Sequence, residues 1–215
     1  MLLLAAALLL APAAAAVPRR PGAARGAPPR AASEPASVWP MPQSMTLGTS
    51  PVALDASFAF SCAGAGCTAV VTAAFDQYTG ILFFAGTPAP LGAALPGVTG
   101  LALTVAADAP LALGVSENYT LALPAAGGVA TAAADTPWGA LRALETFAQL
   151  FSWAGNGVPT TYACASAPVA ITDFPRWQWR GVLLDSARHF LTPAAIRRAI
   201  DAMQATKLNT IHWRA

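Results

Sequence analysis

A chain of 215 residues, 55% of them hydrophobic, is long enough to bury the core of one compact domain or two small ones, so a folded body is expected. The formal charge of +2 comes from twelve basic and ten acidic residues, but four of the basic ones (Arg19, Arg20, Arg25, Arg30) and one acid (Glu34) precede Trp39. Eight basic against nine acidic residues remain from there on, which excludes the basic footprint of a nucleic-acid binder.

The chain opens on MLLLAAALLLAPAAAA, an apolar run with an alanine-rich end, and residues 1–16 read as a secretory signal peptide without its positive n-region. The run is too short to cross a bilayer and no later stretch replaces it, so no stable membrane span is expected. An anchored or plastid-directed leader is the alternative. Residues 17–38 are rich in Pro, Ala and Arg, lack apolar periodicity, and read as a disordered spacer. Of the three cysteines, Cys62 and Cys67 can close a small loop across AGAG in an exported chain, which leaves Cys164 unpaired or joined to a partner elsewhere. Three thiols far from the two histidines, His189 and His212, match no zinc spacing, so neither a metal nor a cofactor is expected.

Residues 39–175 mix short apolar strands with two helical stretches, and Gly, Pro and Asn mark the turns. This predicts an α+β domain, an antiparallel sheet with packed helices. Residues 101–106 and 119–123 read as strands and, across the turn-rich ADAPLALGVSEN, as neighbours in one sheet. A helix is predicted over 137–151, with Thr136 as cap, Pro137 in its first position, and Leu141, Leu144, Ala148 and Phe151 along the stripe that faces the sheet. GNGVP at 155–159 ends it, and 160–171 supplies one more strand.

Residues 176–215 change pattern. Gly181–Asp185 (GVLLD) is an apolar run too short for a helix and suits a strand buried on both faces. After the loop SARHFL, Thr192 caps a helix with Pro193 in its first position and Ile196, Ala199, Ile200 and Met203 on one face; LNTIHW at 208–213 is the next strand. One strand–helix–strand unit is the beginning of a (β/α)8 barrel, which needs eight strands to close. Arg188 follows the first of these strands by three residues and so falls at the end where such barrels build active sites.

The string DFPRWQWRGVLLDSARHF, followed by KLNTIHW, resembles the start of the catalytic domain of glycoside hydrolase family 20, the β-N-acetylhexosaminidases. SENYTLAL, WGALRALETFAQLF and AFDQYTGILF are similar to parts of the small domain that precedes the barrel in eukaryotic members. The resemblance implies removal of terminal non-reducing N-acetylhexosamine from glycans by a substrate-assisted retaining mechanism. In that chemistry the sugar's acetamido oxygen attacks the anomeric carbon, and an adjacent Asp-Glu pair on a later barrel strand orients the acetamido group and protonates the leaving oxygen. No adjacent Asp-Glu pair occurs in the 215 residues, so none of them is expected to be catalytic and the chain is expected to be an N-terminal portion, inactive alone. Family members also read His-Trp-His where Arg214 follows His212 and Trp213 here.

For Arg188 the resemblance implies hydrogen bonds to hydroxyls of the terminal sugar, a task for a rigid fork of donors; the competing reading pairs it structurally with Asp185. Asp185 itself is expected to be structural, and His189 and His212 to be satisfied by backbone or carboxylate partners. Asn118-Tyr119-Thr120 is a glycosylation acceptor if the leader exports the chain. The implied partners are N-acetylhexosamine-terminated glycans, with a homodimer of the full-length protein left open, and the implied location is the secretory pathway, outside the cell or in a lysosome or vacuole. The alternative is a secreted, non-catalytic interaction or carbohydrate-binding module.

Overall fold

Alternation of small apolar and hydroxyl side chains builds one sheet, which a computed structural model of the chain describes over residues 36–88, 95–153 and 160–215. The signal peptide expected over 1–16, most of the spacer expected over 17–38 and the turn at 155–159 lie outside the described residues. Ala36 and Val38, which the sequence assigns to the spacer, pack into the core, and Ala36 N donates to Ser166 Oγ at 2.8 Å.

Six strands form the sheet: β1 (Ser44–Ala63), β2 (Gly97–Val105), β3 (Tyr119–Leu123), β4 (Gly128–Ala134), β5 (Ser152–Trp153) and β6 (Tyr162–Asp173), in the order β1-β2-β4-β3-β6-β5. The sheet is mixed, not the antiparallel one expected. β1 runs parallel to β2, because helix α1 (Ala69–Leu82) carries the chain from the end of β1 back to the starting end of β2, and β2 also runs parallel to β4. β3 is antiparallel to both β4 and β6. β1 is long enough to serve two neighbours, lying along β2 with its second half and antiparallel to β6 with its first. Residues 101–106 and 119–123 are strands, but not adjacent ones: β4 lies between them, an alanine-rich strand whose sequence, GVATAAA, carries little of the β-branched signal that marks a strand.

The inward face carries Val98, Leu101, Leu103, Leu121, Leu123, Val169 and Ile171, and α1 and α2 (Pro137–Leu150) cover it. Rings seal the seam: Phe58 of β1 stacks on Phe147 of α2 with centroids 5.6 Å apart, and Phe60 stacks on Phe75 of α1 at 5.1 Å. The cap and first position of α2 are Thr136 and Pro137 as expected, but its buried stripe is displaced. Ala140, Ala143, Leu144, Phe147 and Leu150 are buried, whereas Leu141 and Ala148 are only partly so. A helix flanked by the sheet, by α1 and by the following unit buries more than one stripe.

The remaining residues form β7 (Gly181–Asp185), α3 (Pro193–Ala205) and β8 (Thr210–Arg214), with β7 and β8 paired in parallel. Gly181 permits the pairing, since a Cβ there would sit 2.7 Å from the carbonyl oxygen of Thr210. β7 is not buried on both faces. Leu183 is 59% exposed, because among the described residues the two strands have only each other as sheet neighbours.

Candidate functional site

Asp185 ends β7 and organises the loop after it. Its Oδ1 accepts from Arg188 N at 2.9 Å, and its Oδ2 faces two guanidinium groups, Arg188 Nε at 3.4 Å and Arg214 Nη1 at 3.2 Å. Ser186 ties the loop to the end of β8: its N–H donates to Arg214 O at 2.9 Å, and its Oγ accepts from Trp213 Nε1 at 2.9 Å. A carboxylate engaged by one amide and two guanidiniums is a positioning group, with no geometry for protonating a leaving oxygen. The Arg188 side chain is 73% exposed and meets Asp185 through Nε, and its two terminal nitrogens have no partner among the described residues. Both readings of Arg188 are therefore compatible in one geometry, since the pair with Asp185 orients the fork without using its outer donors.

The structure brings Asp185, Arg188 and Arg214 together and leaves the histidines out. His189 and His212 are exposed, and neither imidazole has a hydrogen-bond partner among the described residues, contrary to the expectation that backbone or carboxylate groups satisfy them. Strand alternation turns His212 outward, and His189 lies in the open part of the loop. Cys62 and Cys67 are disulfide-bonded, while Cys164 is free and buried, its thiol pushed up by burial. Asn118 stands exposed just before β3.

At the opposite ends of the two parallel strands lies a charged cluster the sequence reading missed. Glu117 is nearly buried and receives Arg142 Nε at 2.6 Å, Arg180 Nη2 at 2.6 Å and Asn209 Nδ2 at 3.3 Å. Burial pushes the Glu117 carboxyl up, but the two guanidiniums prevail and its net shift is downward. Beside it Lys207 Nζ donates to Tyr119 Oη at 2.9 Å and to Asp173 Oδ2 at 3.2 Å, and Tyr119 Oη also meets Thr146 Oγ1 at 2.6 Å. Burial lowers Lys207 and raises Tyr119. Arg180 immediately precedes β7, and Lys207 and Asn209 precede β8, so the cluster fastens the starts of both strands to the sheet-and-helix layer. The available signal was indirect: few residues are charged in this chain, and Glu117 and Arg180 sit inside the very strings SENYTLAL and WRG that carry the family resemblance.

Residues 38–150 match the family model described as beta-acetyl hexosaminidase like, and residues 177–215 match that of the glycosyl hydrolase family 20 catalytic domain. The chain belongs to glycoside hydrolase family 20. This family 20 chain is 34% identical over 200 residues to Beta-hexosaminidase 1 of Arabidopsis thaliana, covering 86% of the chain and 37% of that protein. It is 34% identical over 192 residues to Beta-hexosaminidase subunit alpha of Rattus norvegicus, covering 82% of the chain and 34% of that subunit. The solved chitobiase of Flavobacterium johnsoniae superposes with a TM-score of 0.66 at 26% identity, over 83% of this chain and 27% of that one. The family 20 chain thus spans about a third of the length of the curated relatives it matches. The stretch between the two matched segments, 151–176, contains β5 and β6, whose pairings complete the sheet before the parallel pair begins.

Proposed function

We propose that this chain forms the N-terminal α+β domain, over 39–175, and the opening of the catalytic (β/α)8 barrel, over 176–215, of a β-N-acetylhexosaminidase that removes terminal N-acetylhexosamine from glycans. The observation that carries the reading is the fork of Arg188, held by Asp185 at the outer end of the first parallel strand in a family 20 chain. That end is where barrels of this kind place their sites. The role assigned to Arg188 is to grip sugar hydroxyls. With no adjacent Asp-Glu pair in the 215 residues, acid–base work is not assigned to any of them.

The test is Arg188→Lys in a version extended through a complete barrel. Lysine keeps the charge and loses the fork, so kcat/KM for an aryl N-acetyl-β-glucosaminide should fall at least about tenfold, the equivalent of one charge-assisted hydrogen bond. An unchanged melting curve keeps folding out of the comparison. Unaltered kinetics would reduce Arg188 to a structural partner of Asp185. The 215-residue chain itself should show no turnover above a matched blank, and turnover there would overturn the assignment of binding without acid–base chemistry.

We also place the chain in the secretory pathway, with a glycan on Asn118. The Cys62–Cys67 disulfide suits an oxidising compartment, and the Asn118 side-chain amide is exposed without a hydrogen-bond partner among the described residues. Attachment joins Asn118 Nδ2 to the anomeric carbon of N-acetylglucosamine carried on a polyprenyl diphosphate. The bond from that carbon to the diphosphate breaks, and the amide proton leaves to a base.

A further inference from the structure

We propose that the outward face of the sheet beside Asn118 is a seat for the first N-acetylglucosamine of the glycan attached there, an inference that rests on the glycosylation of Asn118 proposed above. Side chains alternate along β3: Tyr119 and Leu121 point into the core, and Thr120 points outward. Asn118, two residues before Thr120, therefore lies on the same outward face. It borders a shallow cavity of about 310 Å³, at the small end of the size range for ligand pockets and of a size for a single monosaccharide.

The lining suits a neutral sugar. Thr104, Ala133, Thr120 and Thr172 stand in register on four successive strands, forming a short rung of methyl and hydroxyl groups about 4.8 Å apart from strand to strand. The half-exposed ring of Phe174 adds an apolar wall against which the acetyl methyl or the C–H face of a pyranose can pack. Asp135 supplies an acceptor: its Oδ2 already takes Ser116 Oγ at 2.6 Å, and its other oxygen has no partner among the described residues. Among the described residues no cation lines the cavity, which argues against an anionic occupant. A free monosaccharide would gain little from so few groups. Covalent attachment at Asn118 removes that difficulty, because a tethered sugar faces the rung at a high effective concentration. Two features of the fold hold the acceptor still. Asn118 O accepts from Asp135 N at 3.3 Å, and Gly139 of α2 packs so closely on Asn118 O that a Cβ there would clash with it. A seated sugar would cover sheet surface that otherwise stands open to another chain.

The experiment uses the 215-residue chain secreted from a eukaryotic host and digested with peptide N-glycosidase, with the Asn118 peptide followed by mass. In native buffer, release should be at least about tenfold slower than from an Ala133→Arg variant, whose side chain fills the seat and leaves the sequence of the acceptor triplet unchanged, and the two rates should converge after denaturation. Equal native rates would overturn the seat while leaving glycosylation intact. An unmodified Asn118 would overturn the glycosylation, and the seat with it. Should Ala133→Arg fail to fold, the wild-type glycoprotein trimmed to a single N-acetylglucosamine decides the matter. Its acetyl methyl should give nuclear Overhauser contacts to the methyls of Thr104 or Thr172, and their absence in a folded sample would overturn the seat.

Discussion

Asp185 and Arg188 hold a short loop against the end of β7. The carboxylate is mostly shielded while both of its guanidinium partners stand largely in water, so its ion pairs contribute little stability, on the order of 1 kcal/mol or less. Its distinctive contribution is the bond from Arg188 N, which folds the loop back on the strand end. Asp185→Ala, which removes the acceptor, should therefore lower the melting temperature only slightly, while amide exchange at Arg188 accelerates several-fold, read by hydrogen exchange with mass or NMR detection. Exchange as slow as in the parent would show that the loop is held from Ser186 and Arg214 instead. Arg188 was legible in the sequence through its distance from a strand end. The third member of the group was not: Arg214 reads as a departure from the family pattern, and only the parallel register, which sets Asp185 opposite it, reveals that it meets the same carboxylate.

Helix α2 is the element on which the layer is organised. Thr136 caps it by accepting from Trp138 N at 3.2 Å and Gly139 N at 3.5 Å, and its hydroxyl donates to Ser116 O at 2.6 Å. One buried hydroxyl thus starts the helix and anchors it to the turn that carries Glu117 and Asn118. Thr136→Ala should cost about 1–2 kcal/mol in urea melts, and Thr136→Ser should recover most of it. A loss in Thr136→Ser as large as in Thr136→Ala would point to the methyl and not the cap. The cap and the first position were legible because their chemistry is local. The buried stripe was not, since three different neighbours press on the helix. Glu145 is buried among polar side chains of α1 and α3, through Tyr78 Oη at 3.0 Å and, beyond it, Gln204 Nε2 donating to Tyr78 at 3.1 Å.

Across the whole molecule, one buried charge cluster joins the sheet-and-helix layer to the parallel strand pair. Removing the charge of Glu117 leaves Arg142 and Arg180 poorly solvated and without a counter-charge, so Glu117→Gln should destabilise the chain by on the order of 3 kcal/mol and expose the junction to proteolysis near Arg180. The sign of its pH dependence follows from the lowered carboxyl. Its contribution is complete at pH above the ordinary value of 4.5 and is lost as pH falls through the lower folded value. Stability of the parent chain should thus decline on the acid side of pH 4.5, and Glu117→Gln should remove part of that slope, as measured by denaturant melts across pH 3–7. Identical acid slopes would assign the decline to other carboxylates.

Short-range chemistry was written in the sequence itself. Thr136-Pro137 and Thr192-Pro193 set two helix starts, GVLLD is a strand in the frame it predicts, and the loop after it offers Arg188. These follow from capping, fixed backbone angles and apolar runs, which act within a few residues. Only the tertiary structure decided that β4 separates β2 from β3, that the sheet is mixed, and that Glu117, Arg142, Arg180 and Asn209 converge from positions up to 92 residues apart. The energy of a buried charge depends on which opposite charge reaches it and how much water is excluded, and neither is a property of neighbouring residues.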